Sequence, residues 1–510
     1  MSGFAGAFFS QYTSSGGGTV TPTVDYLMVA GGGGGGLFGG GGGAGGYLTA
    51  NAFPVSAGSA ITITVGTGGA GAIFTGSVSS VAGNNSVIVG SSTVTASGGG
   101  LGGNGRNVNP RPGGNGGSGG GGGVNNGVVA AGGSAIGTPS GQGFAGGRGG
   151  RDANNGQVDY PSGGGGGAGS VGQYGLQSQK PGMGGFGLLN TFITPFAGTG
   201  NITSGSTALT VTATSAGACV PGTQVTGAGI RTAQSIALTS LSGSGTVVTA
   251  SYATQASAPF AAGMGITIAG VTGSVVSTTG AITGTTLTVT SGTSIAIGQL
   301  VTGGTVAAGT YITFGSGTSW EVNISQTVVS ATLTFSASWN GTYQVASSTT
   351  TATTFAANIV GTATVTSATI SNPATYIVSG SAGSFVMSAP ATATTTGVAL
   401  TSSGNYYAGG GGGAVFNTTN ARGLGGAGGG GAGALGFTTS GVSGQANTGG
   451  GGGGGGLNAG TTGGTGGAGV VIFRYLATYN AAASSTGSPT VTTDGTYRYY
   501  KFTGNGTITF

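Results

Sequence analysis

Apolar residues fall along this chain in three rhythms. Near each end lies a continuous apolar run, VDYLMVA at Val24 to Ala30 and GVVIFRYLA at Gly469 to Ala477. Continuous runs of this length predict strands buried on both faces, and two such strands can pair although far apart in sequence. The second rhythm is alternation. SAITITVG at Ser59 to Gly66 reads as a strand, and Val87 to Val89 followed across Gly90 by Val94 reads as a hairpin. The stretch GSPTVTTDGTYRYYKFTGNGTITF gives alternation over Val491 to Thr493, a turn at Asp494-Gly495, a strand over Tyr497 to Phe502 and a last strand after Gly504 to Gly506. The third rhythm has almost no side chains: Gly31 to Gly46, Gly98 to Gly187 and Gly409 to Gly469 are glycine blocks with a period-three texture, as in GGLGGNG, GGNGGSGG, GLGGAGG and GGTGGAG.

Period three is the repeat of a polyproline-II-type helix, and a helix without side chains can approach its neighbours closely enough for every N–H and C=O to pair laterally. Glycine loses more backbone freedom on folding than any other residue, so only a cooperative array offsets that cost. Flexible linkers are the other reading of such runs. The interruptions favour an ordered bundle, because Leu37, Phe38, Leu101, Phe144, Tyr174, Phe186, Phe416, Leu435 and Phe437 suit the sealing of its ends and faces.

From about Gly198 to Ser403 the glycines disperse and Ser, Thr, Val and Ala dominate. ALTVTATSAGACVPGTQVTGAGI from Ala208, VVTASYATQASAPFAAGMGITIAGV from Val247 and TLTVTSGTSIAIGQLVTGGTV from Thr286 share a strand, a small polar stretch, a glycine turn (Gly222, Gly263, Gly298), a second strand and a second glycine turn (Gly227, Gly270, Gly303). Such a repeat fits either a string of β modules or one sandwich of degenerate copies. The expected fold class is therefore all-β: a glycine-rich polyglycine-II helix bundle, an inserted β-repeat or β-sandwich domain and a C-terminal β-hairpin domain, with almost no α-helix.

Composition narrows the chemistry. Of 510 residues 126 are glycine, only 3% are charged, none is histidine and one is cysteine, while 37% are hydrophobic, which sets the chain apart from charge-rich disordered sequences. Thirteen prolines and long polyglycine runs exclude collagen. The strand DYLMVA running into GGGGGG satisfies GxGxxG, but no helix follows and the next acidic residue after Asp25 is Asp152, so the dinucleotide fingerprint lacks its parts. Lys180 precedes Pro181 and Lys501 precedes Phe502, so no GK[ST] phosphate loop exists. Triads, His-containing zinc sites and paired-carboxylate hydrolysis also lack parts; Asp152 and Asp159 read as surface-loop residues. No enzyme, cofactor or metal site is expected. Ten basic residues against five acidic ones, spread along the chain, make no nucleic-acid stripe. No apolar run reaches about 20 residues and MSGFAGAFFSQY lacks a basic start, which predicts neither membrane insertion nor Sec export. Cys219 reads as a small buried hydrophobe, and sequons such as Asn340-Gly341-Thr342 are expected by chance.

VDYLMVAGGGGGG, YYAGGGGGA at Tyr406 to Ala414, and GGTGGAGVVIFRYL with the C-terminal TVTTDGTYRYYKFTGNGTITF resemble the glycine-rich domain of phage tail fibres and adhesins. GQLVTGGTVAAGTYITFGSG and VNISQTVVSATLTF, at Gly298 to Gly317 and Val322 to Phe335, resemble small β repeats of phage tail proteins. The resemblance implies a sandwich of polyglycine-II helices whose distal loops touch a host receptor, although an insertion of some 200 residues stands between GGFGLLNTFI and YYAGGGGGA where the family has a short loop. It divides the chain into a virion-attachment segment (1–23), the glycine-rich domain with small strands (24–197 and 404–477), the inserted Ser/Thr/Val-rich β-repeat domain (198–403) and a C-terminal hairpin segment (478–510). The expected role is that of a tail-fibre or tail-tip adhesin, located in the virion and extracellular after host lysis. Its expected partners are other phage tail proteins and a bacterial surface glycan or protein receptor, with a homotrimer as one oligomeric option. The alternatives are a purely structural decoration or spacer and, against the irregular interruptions, an ice- or surface-binding protein. An insertion with both ends on one side is expected to project outwards and carry recognition. Tyr311, Trp320, Trp339 and Tyr343 are the aromatic candidates for stacking on sugars, with core-filling as their other reading. Arg106, Arg111, Arg148 and Arg151 are the candidates for anionic glycans, with solvated loop arginines as theirs. Phe4, Phe8, Phe9 and Tyr12 are the candidates for virion attachment.

Overall fold

A computed structural model describes residues 20–510 apart from 75–78, 106–110, 126–127, 138, 151–160, 176–180, 193–194, 245–246, 272–274, 297–298, 308–309, 337–338, 358, 364, 416–421, 437 and 459. The described residues are all-β, with antiparallel sheets and no helix of the α type.

The glycine runs form a bundle whose hydrogen bonds repeat every third residue. Gly31 and Gly34 donate to the carbonyls of Asn84 and Val81, Gly32 and Gly35 to those of Gly467 and Gly464, and Gly33 and Gly36 to those of Gly43 and Gly40, at 2.9–3.0 Å. The same six residues accept from three other runs: Gly99 and Gly102, Gly69 and Ala72, and Gly452 and Gly455. One threefold helix is thus bonded to six neighbours, with each lateral face serving one of them. This is a polyglycine-II array. A Cβ at Gly34 would stand 2.0 Å from the carbonyl oxygen of Ala70, so the spacing admits no side chain there. Every backbone group of this central run finds a partner without an apolar core.

Two sheets close one part of the bundle. Thr23–Val29 and Val470–Leu476 pair antiparallel, with Leu27 opposite Ile472, and stand at the centre of a five-stranded sheet ordered Tyr47–Pro54, Thr23–Val29, Val470–Leu476, Tyr497–Phe502, Thr490–Thr493. One face, with Tyr26, Met28, Phe473 and Phe502, packs on Ile61, Ile63, Ile88 and Ile508 of a second five-stranded sheet. The other face, with Leu27, Val29, Val470 and Ile472, packs with Ala44, Ala168, Phe192 and Tyr407. Burial on both faces explains the continuous apolar runs. The C-terminal strands are shared between the sheets: Tyr497–Phe502 joins the first beside Val470–Leu476, and Gly506–Thr509 joins the second beside Ala60–Thr64.

Leu188–Asn190 pairs with Asn405–Tyr407 at the base of the insertion. Beyond this neck the chain builds three β modules, each set inside a loop of the one before. The outer module is the sheet Ile377–Ser381, Ser384–Met387, Ala208–Ala216, Ala197–Ile202, Thr395–Thr401 around Phe196, Leu209, Val225, Phe385 and Leu400. The middle module is a six-stranded closed barrel. Its order is Val247–Tyr252, Ala352–Ala356, Gly341–Ser348, Gly265–Ala269, Thr369–Asn372, Gln234–Ser244, closed by pairing of the last strand with the first. The inner module is built on the long antiparallel pair Val275–Val289 and Ser319–Ser336.

The three sequence repeats are the opening halves of these three modules, and the closing halves return in reverse order. Each return begins with a Thr-Tyr pair, Thr310-Tyr311, Thr342-Tyr343 and Thr375-Tyr376, whose threonine is fully buried. Thr310 bonds through its hydroxyl to the Ala307 carbonyl and Thr375 to that of Arg231, both at 2.7 Å, and Val301 and Val225 donate to the carbonyls of the same two threonines at 2.8 Å. Thr342 instead meets the Ser170 hydroxyl of the bundle at 2.7 Å.

Candidate functional site

The insertion lies against the bundle rather than projecting freely from its neck, and the seam is where side chains of several elements converge. Met183 and Phe186 stand three residues apart in a glycine run, which puts them on the same side of a threefold helix. The Phe186 ring reaches Gly265 of the barrel so closely that a Cβ there would lie 2.6 Å from it. Tyr376 of the outer module packs on Tyr406 of the neck with ring centroids 5.5 Å apart, and the Tyr406 hydroxyl accepts from the Ala374 amide at 3.2 Å. Burial pushes the Tyr376 and Tyr343 hydroxyls well above the usual tyrosine range, so both stay neutral at physiological pH.

Between these contacts the modules leave a cleft of about 480 Å³. Met183, Phe186 and Leu424 of the bundle, Met264 of the barrel, and Tyr376 and Met387 of the outer module line its apolar wall, and Arg422 brings its charge. Val378, Val386 and Val442, also on the lining, remain 42–48% exposed. A concave, mostly apolar space of 300–1,000 Å³ with few polar groups is the usual form of a small-molecule site. The individual signals were in the sequence as Met and Phe at a spacing of three inside glycine; the convergence of the barrel and the outer module on that face of the bundle was not.

The aromatic candidates take different positions. Trp320 is 6% exposed in the core of the inner module, with its indole N–H on the Gly317 carbonyl at 2.9 Å. Trp339 is 1% and Tyr343 6% exposed in the barrel core, where the Tyr343 hydroxyl donates to the Trp339 carbonyl at 3.0 Å and its ring lies 4.5 Å from that of Phe355. Rings so enclosed have no free face for a sugar unless the core opens. Tyr311 is half-buried, and its ring receives the Arg148 guanidinium at 5.0 Å. Arg148, itself 5% exposed, also stands 5.2 Å from the Tyr174 ring, so this arginine is a buried cation–π link between bundle and insertion. Arg111 is exposed and donates to the Ser79 hydroxyl at 3.4 Å. The structure does not bring Arg111 and Arg148 into one cluster with the tryptophans; Arg106, Arg151, Phe4, Phe8, Phe9 and Tyr12 lie outside the described residues.

Other reactive chemistry is sparse. Among the described residues no three His, Cys, Asp or Glu side chains converge as a metal site would require. Burial pushes the half-buried Cys219 thiol up to about 11, which leaves little thiolate at neutral pH. Arg474 is held by Asp25 at 3.1 Å and covers the rings of Phe192 and Tyr497 at 3.8 and 4.6 Å, a staple where the two central strands meet the neck.

Comparison with known proteins gives one family. A family model described as a glycine-rich domain matches residues 10–249, a span that holds the first glycine runs and crosses into the outer and middle modules while omitting the returning runs. No curated protein and no solved structure matches the chain. The chain is thus similar to glycine-rich domain proteins over its N-terminal part.

Proposed function

We propose that the chain is a non-enzymatic structural virion protein, a phage tail-fibre or tail-tip adhesin that binds a bacterial surface polysaccharide or outer-membrane protein during adsorption. The observation that carries this reading is the division of labour in the fold. A side-chain-free, laterally bonded bundle is a stiff platform, and nested β modules occupy one of its loops, which is where recognition is placed when a scaffold is rigid. The glycine-rich family match and the resemblance of VDYLMVAGGGGGG and YYAGGGGGA to tail proteins support the same reading. Recognition then falls on exposed loops of the insertion and on accessible groups such as Arg111, because Trp320, Trp339 and Tyr343 serve the cores.

The test compares the fluorescently labelled chain with a version in which Gly198 to Ser403 is replaced by a short loop. The pairing of Leu188–Asn190 with Asn405–Tyr407 leaves the neck intact in that version. Binding of the full chain to host cells, lost in the folded truncation, is the expected result. Failure of both to bind any host to which the virion adsorbs favours the second reading, a decoration or spacer without receptor affinity.

A further inference from the structure

We infer that the cleft between the bundle and the outer and middle modules is a binding site for a small amphiphile, an acyl chain ending in one carboxylate. The inference stands apart from the adhesin reading and needs only the cleft.

Three features select this chemistry. Met183, Met264 and Met387 come from three separate parts of the fold and all border the cleft at 2–4% exposure, and thioether side chains repack around flexible apolar ligands better than branched ones. Val378, Val386 and Val442 continue the apolar wall to the surface, so an apolar chain entering here covers side chains that the fold itself leaves wet. Charge then orients the ligand. Arg422 is the one ionisable cation among the lining residues, no acidic side chain joins it there, and among the described residues no hydrogen bond or ion pair engages it. A carboxylate can therefore take the guanidinium as its first charged partner through a charge-assisted pair. The concave form of the space favours one free molecule over a membrane surface, which would meet the cleft only at its rim.

The probe is dodecanoate below its micelle concentration, titrated into the full chain by calorimetry beside dodecanol and dodecyltrimethylammonium. Saturable one-to-one binding of dodecanoate is expected, with dodecanol at least about tenfold weaker and the cationic amphiphile unbound. Arg422→Gln should weaken dodecanoate about tenfold and leave dodecanol unchanged. Val442→Trp, at an exposed position of the wall, should abolish both while circular dichroism stays that of the parent. Equal affinity for all three head groups, indifference of dodecanoate to both variants, or uptake only by anionic vesicles with no binding of free dodecanoate would each overturn the assignment.

Discussion

Gly34 carries the physics of the bundle in one position. Its added Cβ would meet the Ala70 carbonyl oxygen at 2.0 Å and the carbonyl carbon at 2.4 Å, and backbone cannot rotate away as a flexible side chain can. Gly34→Ala must therefore push its helix away from the Gly69–Ala72 run, whose amides donate to the carbonyls of Gly32 and Gly35. Overpacking of a tight interior costs about 1–3 kcal/mol and here also lengthens backbone bonds, so the expected loss is about 3 kcal/mol. Gly504→Ala is the control, because nothing lies within 4 Å of its Cβ position, and it should change stability by less than about 0.5 kcal/mol. Thermal melts of the two variants check this: equal melting temperatures would mean that the close approach of the glycine helices does not exist in solution. Arg148 reads in sequence as a loop arginine, yet it is a buried link whose guanidinium stands 5.2 Å from the Tyr174 ring and 5.0 Å from the Tyr311 ring.

At the scale of elements, nesting has a mechanical consequence. Asn340 pins together the two barrel ends between which the inner module is inserted, its side chain accepting from the Val271 amide at 2.9 Å and donating to the Val271 carbonyl at 3.1 Å. The barrel closes through Gln234–Ser244 and Val247–Tyr252 without any strand of the inner module. Replacing Val275–Ser336 by a short Gly/Ser loop should leave the barrel and outer sheet folded, with the near-ultraviolet signal of Trp339 retained and that of Trp320 lost. Loss of both signals would make the modules one cooperative unit instead. The sequence carried much of this in local form: the strands, the Asp494-Gly495 turn and the three strand-and-glycine repeats are all legible as patterns of two and three. What it hid was connectivity. A repeat met three times in order suggests a string, and only the return of Thr310-Tyr311, Thr342-Tyr343 and Thr375-Tyr376 in reverse order turns the string into a nest. The cleft was hidden for the same reason, since Met183, Met264 and Met387 are joined by long-range docking that no local spacing encodes.

For the whole molecule, two ways of satisfying a chain coexist. The sheets and modules bury apolar side chains, whereas the glycine bundle has almost none to bury and relies on lateral backbone bonds whose individual net worth is only about 1 kcal/mol. Such bonds withstand the entropy of glycine only as a cooperative array, with Thr23–Val29 and Val470–Leu476 drawing the two distant halves together. A stiff bundle is also what fixes the walls of the cleft and the placement of the insertion. Amide hydrogen exchange read by mass spectrometry tests this most directly, on peptides covering Gly31 to Gly46 and Gly449 to Gly456. The expected result is protection comparable with that of Val470–Leu476 and lost together with it on heating. Exchange of the glycine runs at the rate of an unstructured chain, while the strands stay protected, would contradict it.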